Sequence, residues 1–385
     1  MADTKMTKLF PLINQDFNRQ LLLNAINNER IANAYLFYGP EGSGHEGFAL
    51  ELAAMLNCTH PAERPCTQCA SCHKTRTLEH ANLQMVFPLP IRNVSGSDSD
   101  PFKGFSQSEM EEIQAQIQQK AINPYEKISI PNAKHISISL VRDVKRKIYL
   151  TAQEPGWKVT VFFDAHLMTE EAANAFLKIL EEPPPKSTFI LTTSRADTLI
   201  PTIRSRCQPV FFPPLPQFDV ERRLQEQGVP SDQIKLIVGL AGGDIGKALR
   251  LAQAELDELK QLTLEILRSI AVWNVEKIYG FTDTLASLYR QDPERFRQVM
   301  QSVSFWFRDA MILKFSADED HLIHRDLKTE IGKFVKAFPL FDGFELYSAV
   351  ENCIDLAEHN VYINLALQNM FFQMYSLIKP KKKSS

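Results

Sequence analysis

Two kinds of hydrophobic patterning divide the chain. In the first half, short apolar runs alternate with stretches of helical period. The runs are Tyr35-Leu36-Phe37-Tyr38, Gln84-Met85-Val86-Phe87, Lys158 to Asp164, Thr188 to Thr193 and Gln208 to Phe212. Each has the length of a strand, and the middle ones are apolar enough to be buried on both faces. Between them the pattern predicts helices over Phe10 to Ala34, from His45 onward with Phe48, Leu50, Leu52, Ala53 and Leu56 apolar, and from Leu140 to about Ala152. Two more are predicted over Thr169 to Glu181 and Ile200 to Arg206. Thr169 is placed to cap its helix, and Pro183-Pro184-Pro185 stops it. Strands alternating with helices imply a parallel α/β sheet.

After Pro213-Pro214-Leu215-Pro216, the best linker candidate, only the helical period recurs. Helices are predicted over Phe218 to Gln227, Ile234 to Ala241 and Ile245 to Glu258, then long Phe-rich amphipathic helices from Leu259 to Leu377. One block breaks the α/β rhythm, from about residue 88 to 131. Its stretch Asn93 to Asp100 is polar and turn-rich and predicts a mobile loop; Ser108 to Lys120 is a polar helix candidate. The block reads as an insertion. The end, Lys379 to Ser385, is a basic tail predicted to be disordered.

A length of 385 residues suggests two or three domains. A net charge of −3 gives no global basic field for nucleic acid. No stretch approaches the roughly 20 apolar residues of a membrane span, and the N-terminus does not open a signal peptide, so no membrane partner and a cytoplasmic location are expected. Four of the six cysteines are crowded between Cys58 and Cys72. In a reducing compartment this points to metal rather than disulfides.

Cys58, Cys66, Cys69 and Cys72 form C-x7-C-x2-C-x2-C. Thiolates at this spacing close a tetrahedral Zn²⁺ site with no position open, which makes it structural. His60 and His73 flank the ligands and read as surface residues.

The turn Gly39-Pro40-Glu41-Gly42-Ser43-Gly44 lies between the first strand and a helix. That is the layout of a phosphate-binding loop, G-x-x-x-x-G-K-[ST], in which backbone N–H groups hold phosphates. His45 stands in place of the lysine and Glu46 in place of the Mg²⁺-binding hydroxyl. A neutral histidine supplies no charge, and a glutamate repels phosphate. The loop is either a turn kept for folding or a degenerate site that binds ATP or ADP without hydrolysis. The strand ending Phe162-Phe163-Asp164 presents one acid where an active ATPase usually presents a pair. Asp164 by itself reads equally as a strand-end or capping residue. Ser205-Arg206-Cys207 precedes the last strand. An arginine at such an edge can reach a neighbouring subunit's γ-phosphate, although a lone arginine is commonly a solvated surface residue, and Arg204 competes for the role.

Together these pieces resemble the clamp-loader family of AAA+ proteins in bacterial DNA polymerase III. The segments that carry the resemblance are Ala32 to Gly44, the cysteine module, Met168 to Pro184 with its Glu181-Glu182-Pro183-Pro184, Ser205-Arg206-Cys207, and Asn360 to Leu367. The resemblance implies a P-loop NTPase-like (AAA+) parallel-sheet domain over 1–212, a small helical lid over 213–258 and an all-α collar over 259–378 that assembles a five-subunit ring. It implies that Arg206 acts in trans as an arginine finger. Phe163 then occupies the metal-binding acid's place, and Gly246 stands where an active subunit carries the sensor arginine, with Lys247 only a neighbour. Four such losses, at His45, Glu46, Phe163 and Gly246, imply a subunit without ATPase activity of its own within the polymerase holoenzyme. Gly39, Gly42, Gly44, His45, Glu46 and Asp164 would be a degenerate nucleotide site, and retention of ATP or ADP stays open.

The implied partners are the ATPase subunits (tau or gamma), the delta subunit, the sliding clamp and, indirectly, primed DNA. Shared contact to the DNA backbone is compatible with near-neutral charge. Two alternatives stand beside this reading: an autonomous AAA+ ATPase with an atypical loop, and a zinc nucleic-acid-binding protein.

Overall fold

Strand β4 of the α/β unit, Ser187–Thr193, is buried at every residue and sits in the middle of the sheet. Its threonines are compatible with that position because their hydroxyls find carbonyls. Thr192 donates to Phe162 O at 3.2 Å and Thr188 to Ala32 O at 2.9 Å. The computed structural model describes residues 8–61, 63–91, 100–150, 154–254, 256–316, 319–359 and 361–378. The stretch Asn93 to Ser99 and the basic tail lie outside the described residues.

The elements of the α/β unit, in chain order, begin with α1 Asp16–Asn27, β1 Ala34–Tyr38, α2 His45–Asn57, α3 Ala70–Arg76 and β2 Leu83–Val86. There follow α4 Gln107–Ile122, α5 Ile138–Tyr149, β3 Lys158–Phe162, α6 Glu170–Glu181, β4, α7 Pro201–Arg204 and β5 Gln208–Phe211. The five strands run in the order β2-β3-β4-β1-β5, all parallel. Leu36 pairs with Leu191 on one side and Pro209 on the other. This is the parallel α/β sheet expected from the alternating pattern, of the P-loop NTPase-like (AAA+) kind that the resemblance implied. Helices cover it, with Phe37, Phe48, Phe162, Phe176, Phe189 and Phe212 fully buried in one core.

The predicted helix over Phe10 to Ala34 is shorter than expected, Asp16–Asn27. The N–H groups of Leu9 and Phe10 are donated to Glu51 at 3.1 and 3.0 Å instead of to a helix ladder. At the other end Glu29 takes a left-handed φ of 55°, which ends the helical path. Thr169 caps α6 as expected, accepting from Ala172 N at 3.2 Å.

The second compact unit comprises 217–243 and 247–385; residues 244–246 group with the first. Its described elements are helical: α8 Gln217–Glu226, α9 Ser231–Ala241, α10 Ile245–Gln253, α11 Leu256–Val272, α12 Val275–Gln291, α13 Pro293–Phe315, α14 Lys328–Ala337, α15 Gly343–Glu358 and α16 Ile363–Ile378. The single helix expected over Ile245 to Glu258 is two helices. Ala254 N bonds back three residues to Leu251 O at 3.2 Å, a tightened turn that closes α10. The boundary expected at 258/259 falls inside α11.

Helix α13 packs against α11, α12, α14 and α15. It carries a buried polar cluster in which Asp309 accepts from His324 N at 2.7 Å, and His324 Nε2 lies 3.1 Å from Ser302 Oγ. Serine, histidine and aspartate in this order resemble a hydrolytic relay, but all three are 0% exposed. No substrate reaches them, and their work is to fix the 319–327 turns onto α13.

Candidate functional site

The turn after β1 has its shape from close backbone approaches. A Cβ on Gly39 would lie 2.1 Å from the carbonyl oxygen of Phe212, so only glycine fits beside β5. Gly44 has φ +90° and serves as the N-cap of α2. Gln15 Nε2 donates to Ser43 O at 2.7 Å and ties the turn to the segment before α1. Helix α2 is buried on every side, Glu46 and Glu51 included. Glu51 is matched by Arg19 of α1 at 2.6 Å, and the Arg19 guanidinium also lies over the Phe48 ring at 5.6 Å.

His45 does not face outward from the turn. Its ring is 4% exposed, its Nδ1 lies 2.9 Å from Ser43 Oγ, and Phe212 packs beside it. Burial, only partly offset by the Glu46 charge, pulls its pKa down to about 4, so it is a neutral core residue at pH 7.

The insertion supplies what the turn lacks. Helix α4 is started by a capping box between Ser106 and Glu109 and delivers Lys120 to the interior, where it is fully buried. Lys120 Nζ lies 2.5 Å from Glu46 Oε2, 2.6 Å from Glu126 O and 4.8 Å from the centroid of Phe163. The next turn brings Lys127 Nζ to 2.7 Å from Glu41 and 3.8 Å from Asp164. Tyr125 lies over Gly44, with its ring 3.1 Å from the position of a Cβ there, and its hydroxyl accepts from Ile13 N at 2.7 Å.

In this cluster three carboxylates, Glu41, Glu46 and Asp164, face two ammonium groups, Lys120 and Lys127. Burial alone would raise the Glu46 carboxyl, but Lys120 beside it holds it below the usual range. Glu41 is likewise lowered: burial pushes it up, and the hydrogen bond and the charge of Lys127 together outweigh that. Asp164, at φ 48°, is raised to about 6 by burial and by the Glu46 charge, against the pull of Lys127. Of the expected site residues, Gly44, Glu46 and Asp164 are thus brought together with Glu41. Lys120, Tyr125 and Lys127 were missed. Nothing in a polar helix announces that one of its lysines is buried.

The four cysteines converge. Their sulfurs all lie within 4.8 Å of one another, with Cys66 Sγ and Cys72 Sγ 4.0 Å apart. Tetrahedral Zn²⁺ with Zn–S bonds of about 2.3 Å places sulfurs about 3.8 Å apart, so the set fits the ion. Backbone N–H groups of Cys66, Cys69 and Cys72 point at Cys58, Cys66 and Cys69 sulfurs at 3.3 to 3.4 Å, the orientation that stabilises thiolates. All four thiols are free of disulfides, and the cluster could hold a zinc ion.

Arg206 lies apart from both. It is exposed just before β5, donating through Nη1 to Thr202 O at 3.2 Å and through Nη2 to Glu181 Oε1 at 3.0 Å. Glu181 closes α6, so two of the sequence segments singled out above meet at this one ion pair. Lys247 is engaged elsewhere, 2.7 Å from Glu294.

Residues 14–216, just over half of the chain, match the family described as DNA polymerase III, delta subunit. A DNA polymerase III subunit delta′ of Bacillus subtilis is 25% identical over 311 residues, 80% of either chain. One from Escherichia coli is 27% identical over 248 residues, 64% of this chain and 61% of that one. The tau subunit of Bacillus subtilis is 24% identical over 330 residues, 79% of this chain but 50% of its own length.

Proposed function

The chain belongs to the DNA polymerase III delta subunit family, and from that premise we propose that it is a clamp-loader subunit that does not hydrolyse ATP and lends Arg206 to a neighbouring ATPase subunit. The observation that carries this reading is the contrast between two places in one domain. The phosphate-binding turn is followed by His45 and Glu46 in place of the motif's lysine and Mg²⁺-binding hydroxyl, and Glu46 and Glu41 are paired internally with Lys120 and Lys127. Arg206 is exposed at the sheet's edge and is held, among the described residues, by another exposed side chain and a carbonyl. An arginine so placed can swing to a partner's γ-phosphate and stabilise the charge of phosphoryl transfer.

On this reading α8 to α10 act as lid and α11 to α16 as collar. The partners are the tau or gamma ATPase subunits and the delta subunit. The task is opening the sliding clamp and placing it on primed DNA. Zinc in the cysteine cluster would brace α2 against α3 and take no part in chemistry, since all four positions are filled by protein.

The test is reconstitution with partner ATPase subunits, delta and the clamp. Arg206→Ala should lower clamp-stimulated ATP turnover while the complex still assembles; unchanged turnover sinks the claim. Similarity to the tau subunit keeps one second reading, an ATPase in its own right. It requires ATP turnover by the purified chain that Asp164→Ala abolishes.

A further inference from the structure

In a working phosphate-binding loop the hydroxyl after the lysine and an acid at the strand end hold a divalent cation between them. Here those places are Glu46 and the Phe163-Asp164 strand end. What lies between them is the ammonium of Lys120, 2.5 Å from Glu46 and 4.8 Å from the Phe163 ring. It arrives from a helix 74 residues along the chain and is fully buried there. Lys127 bridges Glu41 of the turn and Asp164 of the strand, and Tyr125 closes over Gly44. Pro124 is packed against Gly47, 2.8 Å from where a Cβ would lie. A buried carboxylate facing the turn would be costly if left alone, and these lysines remove that cost.

We propose that residues 120–127 are a resident plug of the nucleotide cradle. Lys120 takes the place of the divalent cation, and Tyr125 and Lys127 cover the turn where phosphates would sit. The insertion therefore has a function of its own. It keeps this domain in one nucleotide-free form, whatever the nucleotide state of its neighbours. The proposal rests on reading the turn as a cradle, and it stands or falls without Arg206.

Absence of nucleotide binding by the wild-type chain is expected but does not separate a plug from a merely degenerate loop. The decisive comparison uses the full chain with the motif restored, His45→Lys with Glu46→Thr, and a fluorescent ATP analogue with Mg²⁺ as probe. Adding Lys120→Ala, Tyr125→Ala and Lys127→Ala should tighten binding at least tenfold. Equal affinity with and without these changes overturns the plug.

Hydrogen exchange supplies a second readout that does not depend on restoring a site. Lys127→Glu, a partly exposed position, should speed exchange of the amides of 41–47 severalfold, and the swap Glu41→Lys with Lys127→Glu should slow it again. Exchange unmoved by either variant also overturns the proposal. Neither experiment contains a partner subunit, so its failure is distinct from failure of the trans-arginine reading.

Discussion

Arg19 and Glu51, 32 residues apart in the chain, form an ion pair of 2.6 Å in which neither side chain is more than 1% exposed. Glu51 also accepts from Leu9 N and Phe10 N, so one carboxylate anchors both α1 and the segment before it to α2. Removing one partner of a buried pair leaves the other charge uncompensated and typically costs about 3–5 kcal/mol. Arg19→Met should destabilise the α/β unit by about that amount. Hydrogen exchange at the α2 amides reads it without interference from the helical unit. A loss below about 1 kcal/mol would show that the pair is not needed to hold α1.

The cysteine cluster predicts about one zinc ion per purified chain. Cys69→Ser should lose most of it, because serine at the starting cap of α3 keeps a hydrogen-bond acceptor but not a thiolate. Elemental analysis of both proteins decides the point. Zinc retained in full by Cys69→Ser would remove Cys69 from the ligand set. Protection of α3 amides should fall with the metal, since this seven-residue helix is too short to persist without tertiary support.

His45 predicts a pH dependence. Burial, with smaller contributions from Lys127 and Lys120 against Glu46, holds its pKa at about 4, below the ordinary 6.5. Between these values the unfolded chain binds a proton that the folded chain does not. The stability from His45 is complete above pH 6.5 and is lost as pH falls towards 4, amounting to about 2–3 kcal/mol at pH 4.5. Asp164, raised to about 6, gives the opposite slope between pH 3.8 and 6, so the wild-type curve alone is a sum. The stability difference between wild type and His45→Asn isolates the histidine. It should shrink by about 2–3 kcal/mol from pH 7 to 4.5, and a difference flat in pH refutes the assignment.

How much of this was legible in the sequence depends on range. The strands over 35–38, 158–162 and 188–193 announced themselves by local apolar runs, and the cysteines by their spacing. The short extent of α1 was not legible, because Glu51 on another helix takes the N–H groups of Leu9 and Phe10 and a left-handed φ at Glu29 ends the helical path. The break between Gln253 and Leu256 has no glycine or proline to mark it. Lys120 and Lys127 were the least visible. Each sits in a polar stretch where lysines are usually solvated, and their partners Glu46 and Glu41 are 74 and 86 residues away. Local patterning tells that a residue is charged, and only the fold tells which charge it meets.

The pairing of Asp309 with His324 predicts a purely structural loss. Asp309→Ala leaves the N–H groups of Ile323 and His324 without their acceptor in a buried place. Each such orphan costs about 1–3 kcal/mol, so the helical unit should lose about 2–6 kcal/mol. Ser302→Ala should cost less, about 1 kcal/mol, since it removes the hydroxyl contacts to His324 Nε2 and Thr263 Oγ1 but leaves both backbone N–H groups paired. Urea unfolding of the variants checks both. Asp309→Ala should also leave any assembled complex's ATP turnover per folded chain unchanged, which a catalytic relay would not.

The ion pair between Arg206 and Glu181 makes the sharpest functional prediction, because the two residues should act in opposite directions. Both are well exposed, 40% and 53% at their side chains, so the pair is worth at most about 1 kcal/mol and can be released readily. If Arg206 serves a neighbouring active site, Arg206→Ala should slow turnover at that one site by about 10³-fold, and Arg206→Lys should rescue little, since an ammonium lacks the planar fork. Glu181→Gln only weakens the resting contact. It should leave turnover unchanged or raise it by no more than about fivefold, the factor that corresponds to 1 kcal/mol. Pre-steady-state phosphate release from the reconstituted complex resolves single sites and measures both effects. A Glu181→Gln defect as large as that of Arg206→Ala would mean that the pair itself is the structural element, and the trans role would fall.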